Sequence, residues 1–155
     1  QVLAADPAPP IYWNNLGLAL QNLGNLTEAE SAYREAISRD KESLEATYNL
    51  ANTIQSMGRY EEAVDLYDAA LLVRPDHLLA LLNKGNALAS LTRHEEAISC
   101  YLEILEIHPD YADAAYNLGH TCEEIGRIED ARRWYHRALE IDPEYSHATD
   151  QLAGL

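Results

Sequence analysis

The sequence predicts an all-α fold in which short helical hairpins stack into a solenoid. The chain repeats with a period of 34 residues and without insertion, so that 10–43, 44–77, 78–111 and 112–145 align as four units. Such fixed-period similarity is typical of solenoids, in which each repeat packs on its neighbours. Three residue types mark the period, namely alanine at Ala29, Ala63, Ala97 and Ala131, tyrosine at Tyr33, Tyr67, Tyr101 and Tyr135, and proline at Pro75, Pro109 and Pro143.

Each unit is predicted to contain two amphipathic helices. In 44–77, apolar or small residues recur at the i, i+3, i+4 and i+7 spacing of one helix face, first at Thr47, Leu50, Ala51 and Ile54 and then at Ala63, Leu66, Tyr67, Ala70 and Leu71. Neither helix can bury its stripe alone, so each hairpin is expected to pack against the next one.

Glycine and proline set the predicted ends of these helices. Gly58 ends the first helix at positive φ, where a glycine has no steric penalty, and Pro75 prevents continuation of the second. Small residues such as Ala51 and Ala63 let the two backbones approach, while the ring of Tyr67 fills the space between them.

This pattern resembles the tetratricopeptide repeat, which has a large residue, Leu-Gly, aromatic, alanine and proline positions at set places. In the first unit these places hold Trp13, Leu16, Gly17, Leu20, Ala29, Tyr33 and Ala36. The resemblance implies a right-handed α-solenoid whose first helices line a concave surface. The third unit departs most from the pattern, because Lys84 replaces a leucine, Ile104 replaces an alanine and Thr92 replaces the turn glycine. In the other units, Lys41 replaces the proline and Ala51 replaces the first glycine.

The period also suggests an interpretation of the two ends. Residues 1–9 correspond to the end of a preceding second helix, and 146–155 to the start of a fifth repeat or a capping helix. We therefore expect the chain to be part of a longer array. The alternative is a complete or processed small protein with degenerate caps.

Asparagine is the most distinctive residue of the surface that the resemblance assigns to the concave side. It occupies the sixth position of every repeat, at Asn15, Asn49, Asn83 and Asn117, and the ninth position at Asn52 and Asn86. A carboxamide both donates and accepts, so it can pair with the main chain of any extended peptide. The row resembles the asparagine ladders with which some tetratricopeptide proteins hold peptides. The alternative is that asparagine is merely common and solvated at this position.

The remaining predicted contacts divide into an apolar and an acidic part. Tyr48, Leu82 and Tyr116 offer apolar or aromatic surface, and His120 lies near the acidic end formed by Asp113, Glu123 and Glu124. Asp113, Asn117, His120 and Glu124 follow one another along one helix face, where a basic side chain of a partner would fit. A solvated helix face without a ligand is the alternative.

Charge and composition exclude several classes of function. The net charge of −15 disfavours nucleic acid and anionic membranes and favours basic partners. Lys84 is the single cationic residue of the first helices, so the carboxylate clamp of chaperone-binding relatives is not expected. We predict neither enzyme activity nor a cofactor. His120, Glu124, His147 and Asp150 lack the spacing of a zinc site, so no metal is predicted.

The two cysteines favour a cytoplasmic location. Cys100 and Cys122 have no metal or redox spacing, and we interpret them as reduced, packed residues, with a disulfide between them as the alternative. The N-terminal residues do not resemble a secretory signal.

Three functions are compatible with these features. The first is a scaffold or adaptor that binds an extended, basic peptide through the asparagines. The second is a self-assembly module that forms homo-oligomers through exposed ends, with Val2 and Leu3 of one copy against Leu152 and Leu155 of another. The third is the substrate-recognition arm of a larger enzyme such as a glycosyltransferase.

Overall fold

The computed structural model describes residues 8–155, and every regular element in that range is an α-helix. The all-α class that the sequence predicts is therefore confirmed, with the helices alternating as first and second members of successive hairpins. In chain order the helices are α1 Pro10–Asn22, α2 Leu26–Arg39, α3 Leu44–Ser56, α4 Tyr60–Val73, α5 Leu78–Ser90, α6 His94–Ile107, α7 Ala112–Glu124, α8 Ile128–Ile141 and α9 Ser146–Gly154.

The chain divides into two compact units. The N-terminal unit, Gln1–Pro75, contains α1 to α4, and the C-terminal unit, Asp76–Leu155, contains α5 to α9. Within each unit every helix packs against the next one along the chain. This is the solenoid arrangement, in which contacts are local and each hairpin is covered by its neighbour. Val2 and Leu3, which the sequence assigns to an exposed end, lie outside the described residues.

Each second helix carries a tyrosine whose ring is fully enclosed. Tyr33, Tyr67, Tyr101 and Tyr135 are at most 1% exposed. In the first, third and fourth repeats the ring lies against a glycine of the first helix, so closely that a Cβ placed on Gly17 would be 2.5 Å from Cε1 of Tyr33. The helices of a hairpin can therefore approach each other only where this position is small.

An ion network joins the two hairpins of the N-terminal unit. Glu30 of α2 lies 2.9 Å from the guanidinium of Arg34 and 2.7 Å from that of Arg59, which precedes α4. Burial alone would raise the pKa of Glu30, but the hydrogen bonds from these two arginines outweigh it and hold that pKa below its usual value. The carboxylate therefore stays charged.

No helix within residues 8–155 combines the length and the apolar character that crossing a membrane requires.

The turn between the helices of each hairpin needs a residue in the left-handed region. Gly24, Gly58 and Gly126 adopt φ values of 80°, 77° and 76°, as the repeat pattern predicts. In the third repeat Thr92 takes the same place with φ 59°. A β-branched residue is strained there because its Cβ crowds the backbone, at a cost of about 1–2 kcal/mol.

We expect Thr92→Gly to raise the free energy of unfolding by about 0.5–1 kcal/mol, because relief of this strain exceeds the extra chain entropy of glycine. Urea denaturation followed by circular dichroism measures the effect. The matched variant Gly58→Thr introduces the same strain into the N-terminal unit and should lower the stability. An unchanged or lower stability of Thr92→Gly would contradict the strain.

Candidate functional site

The predicted asparagines all lie on first helices. Asn15 belongs to α1 and is exposed, whereas Asn49 of α3, Asn83 of α5 and Asn117 of α7 are half-buried. We call the polar surface around Asn14, Asn49 and Asn52 the N-terminal amide face. The surface around Asn83, Asn86 and Asn117 is the C-terminal amide face.

Each amide face contains a pair of asparagines that are hydrogen-bonded between neighbouring first helices. In the N-terminal unit, Nδ2 of Asn49 donates to Oδ1 of Asn14 over 3.1 Å. In the C-terminal unit, Nδ2 of Asn117 donates to Oδ1 of Asn86 over 3.0 Å. These pairs join different positions of the repeat, the fifth with the sixth and the ninth with the sixth. A prediction from equal positions of the repeat does not find these hydrogen-bonded pairs. The polar residue Asn14 at the fifth position is the sequence feature that could have indicated one of them.

A tyrosine hydroxyl fixes the orientation of Asn86. The hydroxyl of Tyr101 donates to Oδ1 of Asn86 over 2.8 Å, in addition to the bond from Asn117. Because Oδ1 of Asn86 accepts two hydrogen bonds, the group that Asn86 offers to a ligand is its side-chain NH2, a hydrogen-bond donor. Asn117 uses one N–H in the pair, and its Oδ1 is an acceptor. The two side chains together thus offer donors and an acceptor at one place.

The N-terminal unit uses the same device with different partners. The hydroxyl of Tyr67 lies 2.7 Å from Oδ1 of Asn52 and 2.6 Å from Oε1 of Gln55. The hydroxyl has a single hydrogen, so it donates to one of these two amide oxygens at a time. The hydroxyl of Tyr33 donates to Oε1 of Gln21 over 2.8 Å. Buried rings on the second helices therefore orient amides on the first helices.

Burial keeps the hydroxyls of Tyr33 and Tyr101 protonated. It raises the pKa of Tyr33 to about 12 and also raises the pKa of Tyr101 well above its usual value. The cause is the loss of solvent around the charged phenolate, which would have to form inside the hairpin. Both groups are consequently neutral hydrogen-bond donors at physiological pH.

The predicted acidic end has partners within the protein. Asp113 accepts a hydrogen bond from the hydroxyl of Tyr145 over 2.7 Å, and Glu123 accepts one from Tyr135 over 2.5 Å. Burial is the main cause that raises the pKa of each tyrosine, and the bond to a carboxylate adds to it. Glu124 instead lies beside two imidazoles, with its Oε2 3.6 Å from Nδ1 of His94 and 3.9 Å from Nδ1 of His120.

Aromatic rings surround Tyr116 in the C-terminal unit. Its ring centroid lies 5.3 Å from that of Tyr145 and 5.6 Å from that of Tyr135. The imidazoles of His147 and His120 follow at 6.0 and 6.3 Å. We call these five residues the ring cluster. The sequence did not predict it as an aromatic site, because Tyr145 lies at the far end of the same repeat and His147 in the following one. Both become neighbours of Tyr116 only through packing.

The predicted apolar contacts are less open than the sequence suggested. Leu82 is only 9% exposed, so it offers little surface to a ligand. Tyr48 is half-buried, and its ring centroid lies 6.2 Å from that of Tyr67. In the N-terminal unit the aromatic surface is thus provided by Tyr48 alone among the predicted site residues.

The cysteines and the acidic side chains give no sign of chemistry. Within the described residues, no group of three or more His, Cys, Asp or Glu side chains could hold a metal ion. Cys100 and Cys122 are free and buried, so the disulfide alternative is not realised. Burial is the main cause that raises the pKa of Cys122, which therefore remains a thiol rather than a nucleophilic thiolate.

A cavity in the C-terminal unit is lined by residues of α6, α7 and α8. This cavity has a volume of about 530 Å³ and includes Leu118, Cys122 and Trp134 among its lining residues. Two arginines at its edge, Arg133 and Arg137, pair with carboxylates of α8 itself. Its charges are therefore largely balanced within the same helix.

Comparison with known families gives one consistent result. Models described as the tetratricopeptide repeat match residues 10–43, 42–107 and 76–144. A comparison with curated protein sequences finds no match.

Several solved structures are similar in fold. MamA, residues 41 to the end, from Desulfovibrio magneticus RS-1 is 24% identical, with a TM-score of 0.86 over 92% of this chain and 81% of that chain. PilF from Pseudomonas aeruginosa is 24% identical, with a TM-score of 0.81 over 94% and 66%. A tetratricopeptide repeat protein from Parabacteroides merdae ATCC 43184 is 22% identical, with a TM-score of 0.88 over 98% and 59%. At these identities the likeness concerns the fold.

We expect Tyr101→Phe to lower the free energy of unfolding by about 1 kcal/mol, because the variant removes a buried hydroxyl and leaves Oδ1 of Asn86 with one donor fewer. Urea denaturation measures this change. Tyr12→Phe is the matched control, since Tyr12 is 52% exposed and its hydroxyl is accessible to water. Equal stability of the two variants would mean that the hydroxyl does not hold Asn86.

Proposed function

The chain belongs to the tetratricopeptide-repeat family, and from this premise we propose that it is a scaffold that binds an extended peptide segment of another protein through its amide faces. Protein interaction is the function class that family membership supports. The proposal adds the site, namely Asn49, Asn83, Asn86 and Asn117, and the character of the partner, which is extended and basic.

The observation that carries this proposal is the fixed orientation of the amides. Tyr101 and Asn117 both donate to Oδ1 of Asn86. The side-chain NH2 of Asn86 is therefore the group that can donate to a ligand. An extended peptide presents N–H and C=O groups alternately, about 3.3 Å per residue. A donor at Asn86 and an acceptor at Asn117 are complementary to such a main chain. Preorganised amides also lose little entropy when the peptide binds.

Charge supports a basic partner. With a net charge of −15, the protein attracts cationic segments and repels acidic ones, and added salt weakens both effects. Asp113 and Glu123 belong to α7, the helix that also carries Asn117. Binding of main chain by the amides gives affinity for any sequence, and the charge then selects among sequences.

One observation favours self-association as a second candidate function. Leu16 and Leu20 of α1 are only half-buried, and they line a cavity of about 390 Å³ together with Trp13. The equivalent Leu50 and Ile54 of α3 are at most 1% exposed, because α2 packs on α3. A helix from another copy could cover this edge of the N-terminal unit in the same way.

The triple variant Asn49→Ala, Asn83→Ala and Asn117→Ala tests the proposal on an array of basic, neutral and acidic extended peptides at two salt concentrations. If each amide contributes about 1 kcal/mol, the affinity for captured peptides should fall about a hundredfold. Fluorescence anisotropy with the best labelled peptide gives the dissociation constant, and circular dichroism verifies folding.

Asn25→Ala is the control, because Asn25 precedes α2 and its side chain makes no capping hydrogen bond. Equal binding by the triple variant and the wild type would refute the amide faces as the binding site. Sedimentation of the same samples tests the second candidate function. A molecular mass that increases with protein concentration, equally in the wild type and the triple variant, would favour self-association.

A further inference from the structure

We propose that the ring cluster of Tyr116, Tyr135, Tyr145, His120 and His147 binds the guanidinium of an arginine side chain in the bound segment. This inference rests on the proposed function and specifies which residue of a basic peptide the C-terminal unit selects. The ligand is an arginine because its planar guanidinium can stack on a ring and, at the same time, donate hydrogen bonds to carboxylates. A lysine ammonium can also donate to a carboxylate, but it has no planar face that could stack on a ring.

The rings provide a surface of suitable shape. Tyr116 lies at the centre, with its plane tilted by 39° from that of Tyr145 and by 35° from that of His120. The planes of Tyr116 and His147 meet at 61°. Because these rings are close together and tilted rather than parallel, a planar cation stacked on one ring can also contact another.

The cluster is accessible to a ligand. The side chain of His120 is 45% exposed, and that of Glu124 next to it is 41% exposed. His147 is exposed, and Tyr116 and Tyr145 are half-buried, so part of their surface faces solvent. Tyr135 is fully buried and supports the cluster from below. A guanidinium can therefore reach Tyr116, Tyr145 and the two imidazoles without rearrangement of the helices.

The acceptors of the tyrosine hydroxyls distinguish this place from the others. Tyr33, Tyr67 and Tyr101 bond to neutral amides, at Gln21, Asn52, Gln55 and Asn86. Tyr135 and Tyr145 donate to carboxylates, those of Glu123 and Asp113. A phenol that donates to an anion carries more electron density in its ring, and this strengthens the attraction of the ring face for a cation.

The same carboxylates supply the second part of the site. Asp113 is the acceptor for Tyr145 and Glu123 the acceptor for Tyr135, and the rings of both tyrosines adjoin that of Tyr116. Each uses one oxygen in the bond to its tyrosine, and a carboxylate can accept further hydrogen bonds through the other oxygen. A guanidinium stacked on Tyr116 would have N–H donors directed outward in its own plane, toward such acceptors.

The test uses three labelled peptides that differ only at a central residue, which is arginine, its uncharged isostere citrulline, or lysine. Their dissociation constants from the full chain are measured by fluorescence anisotropy. We expect arginine to bind about threefold to tenfold more tightly than citrulline. Tyr116→Leu keeps apolar bulk without a π face and should reduce this ratio to the smaller value that the carboxylates alone provide. Tyr12→Leu, distant in sequence and outside the site, should leave the ratio unchanged.

The variant Tyr145→Phe keeps the ring and removes the bond to Asp113, so it should reduce the arginine-to-citrulline ratio without abolishing it. An equal affinity for arginine and citrulline in the wild type would overturn the inference. A ratio that is the same in Tyr116→Leu as in the wild type would overturn it as well. Equal affinity for lysine and arginine would assign the preference to charge alone and would also reject a stacked guanidinium.

A separate measurement keeps this inference distinguishable from the proposed function. Methylguanidinium is titrated into the isotopically labelled protein, and the ring signals of Tyr116, Tyr145 and His147 are followed by NMR. Shifts at these rings that are absent in Tyr116→Leu support the cation site even if no peptide binds to the amide faces. An absence of shifts in the wild type overturns the site, even if neutral peptides bind through the amides.

Discussion

The contact between a buried tyrosine and a small residue is the constraint on which the rest of the structure depends. In the fourth repeat a Cβ on Gly119 would lie 2.8 Å from Cδ1 of Tyr135, so a larger side chain would force the two helices apart. The same contact occurs between Gly17 and Tyr33. Because hairpins are closed in this way, neighbouring hairpins within one unit can pack closely and bury their apolar stripes.

The position of the tyrosine also links packing to function. Its ring is in the core, but its hydroxyl reaches the face of the first helix that carries the asparagines. In the third repeat this hydroxyl orients Asn86, and in the fourth it orients Glu123. One residue type therefore closes the hairpin and orients a polar side chain of the first helix, which is a neutral amide in the third repeat and a carboxylate in the fourth. The change of acceptor from repeat to repeat gives each part of the surface a different chemistry.

The sequence predicted the fold well because helical period and turn chemistry are local. Gly58 and Gly126 have the positive φ that their places require, and Thr92 follows them although it is not a glycine. The candidate site was predicted only in part, since which side chains pair depends on the stacking of hairpins. The bond between Asn86 and Asn117 joins positions 31 apart rather than a full period, and the burial of Leu82 likewise follows from packing.

The central claim is that tyrosine-oriented amides bind the main chain of a peptide. The most direct test follows the side-chain NH2 signals of the asparagines by NMR while a neutral extended peptide is added. We expect shifts for Asn49, Asn86 and Asn117 and none for Asn25, which precedes α2. Shifts confined to Asn25, or binding that leaves every asparagine side chain unchanged, would contradict it.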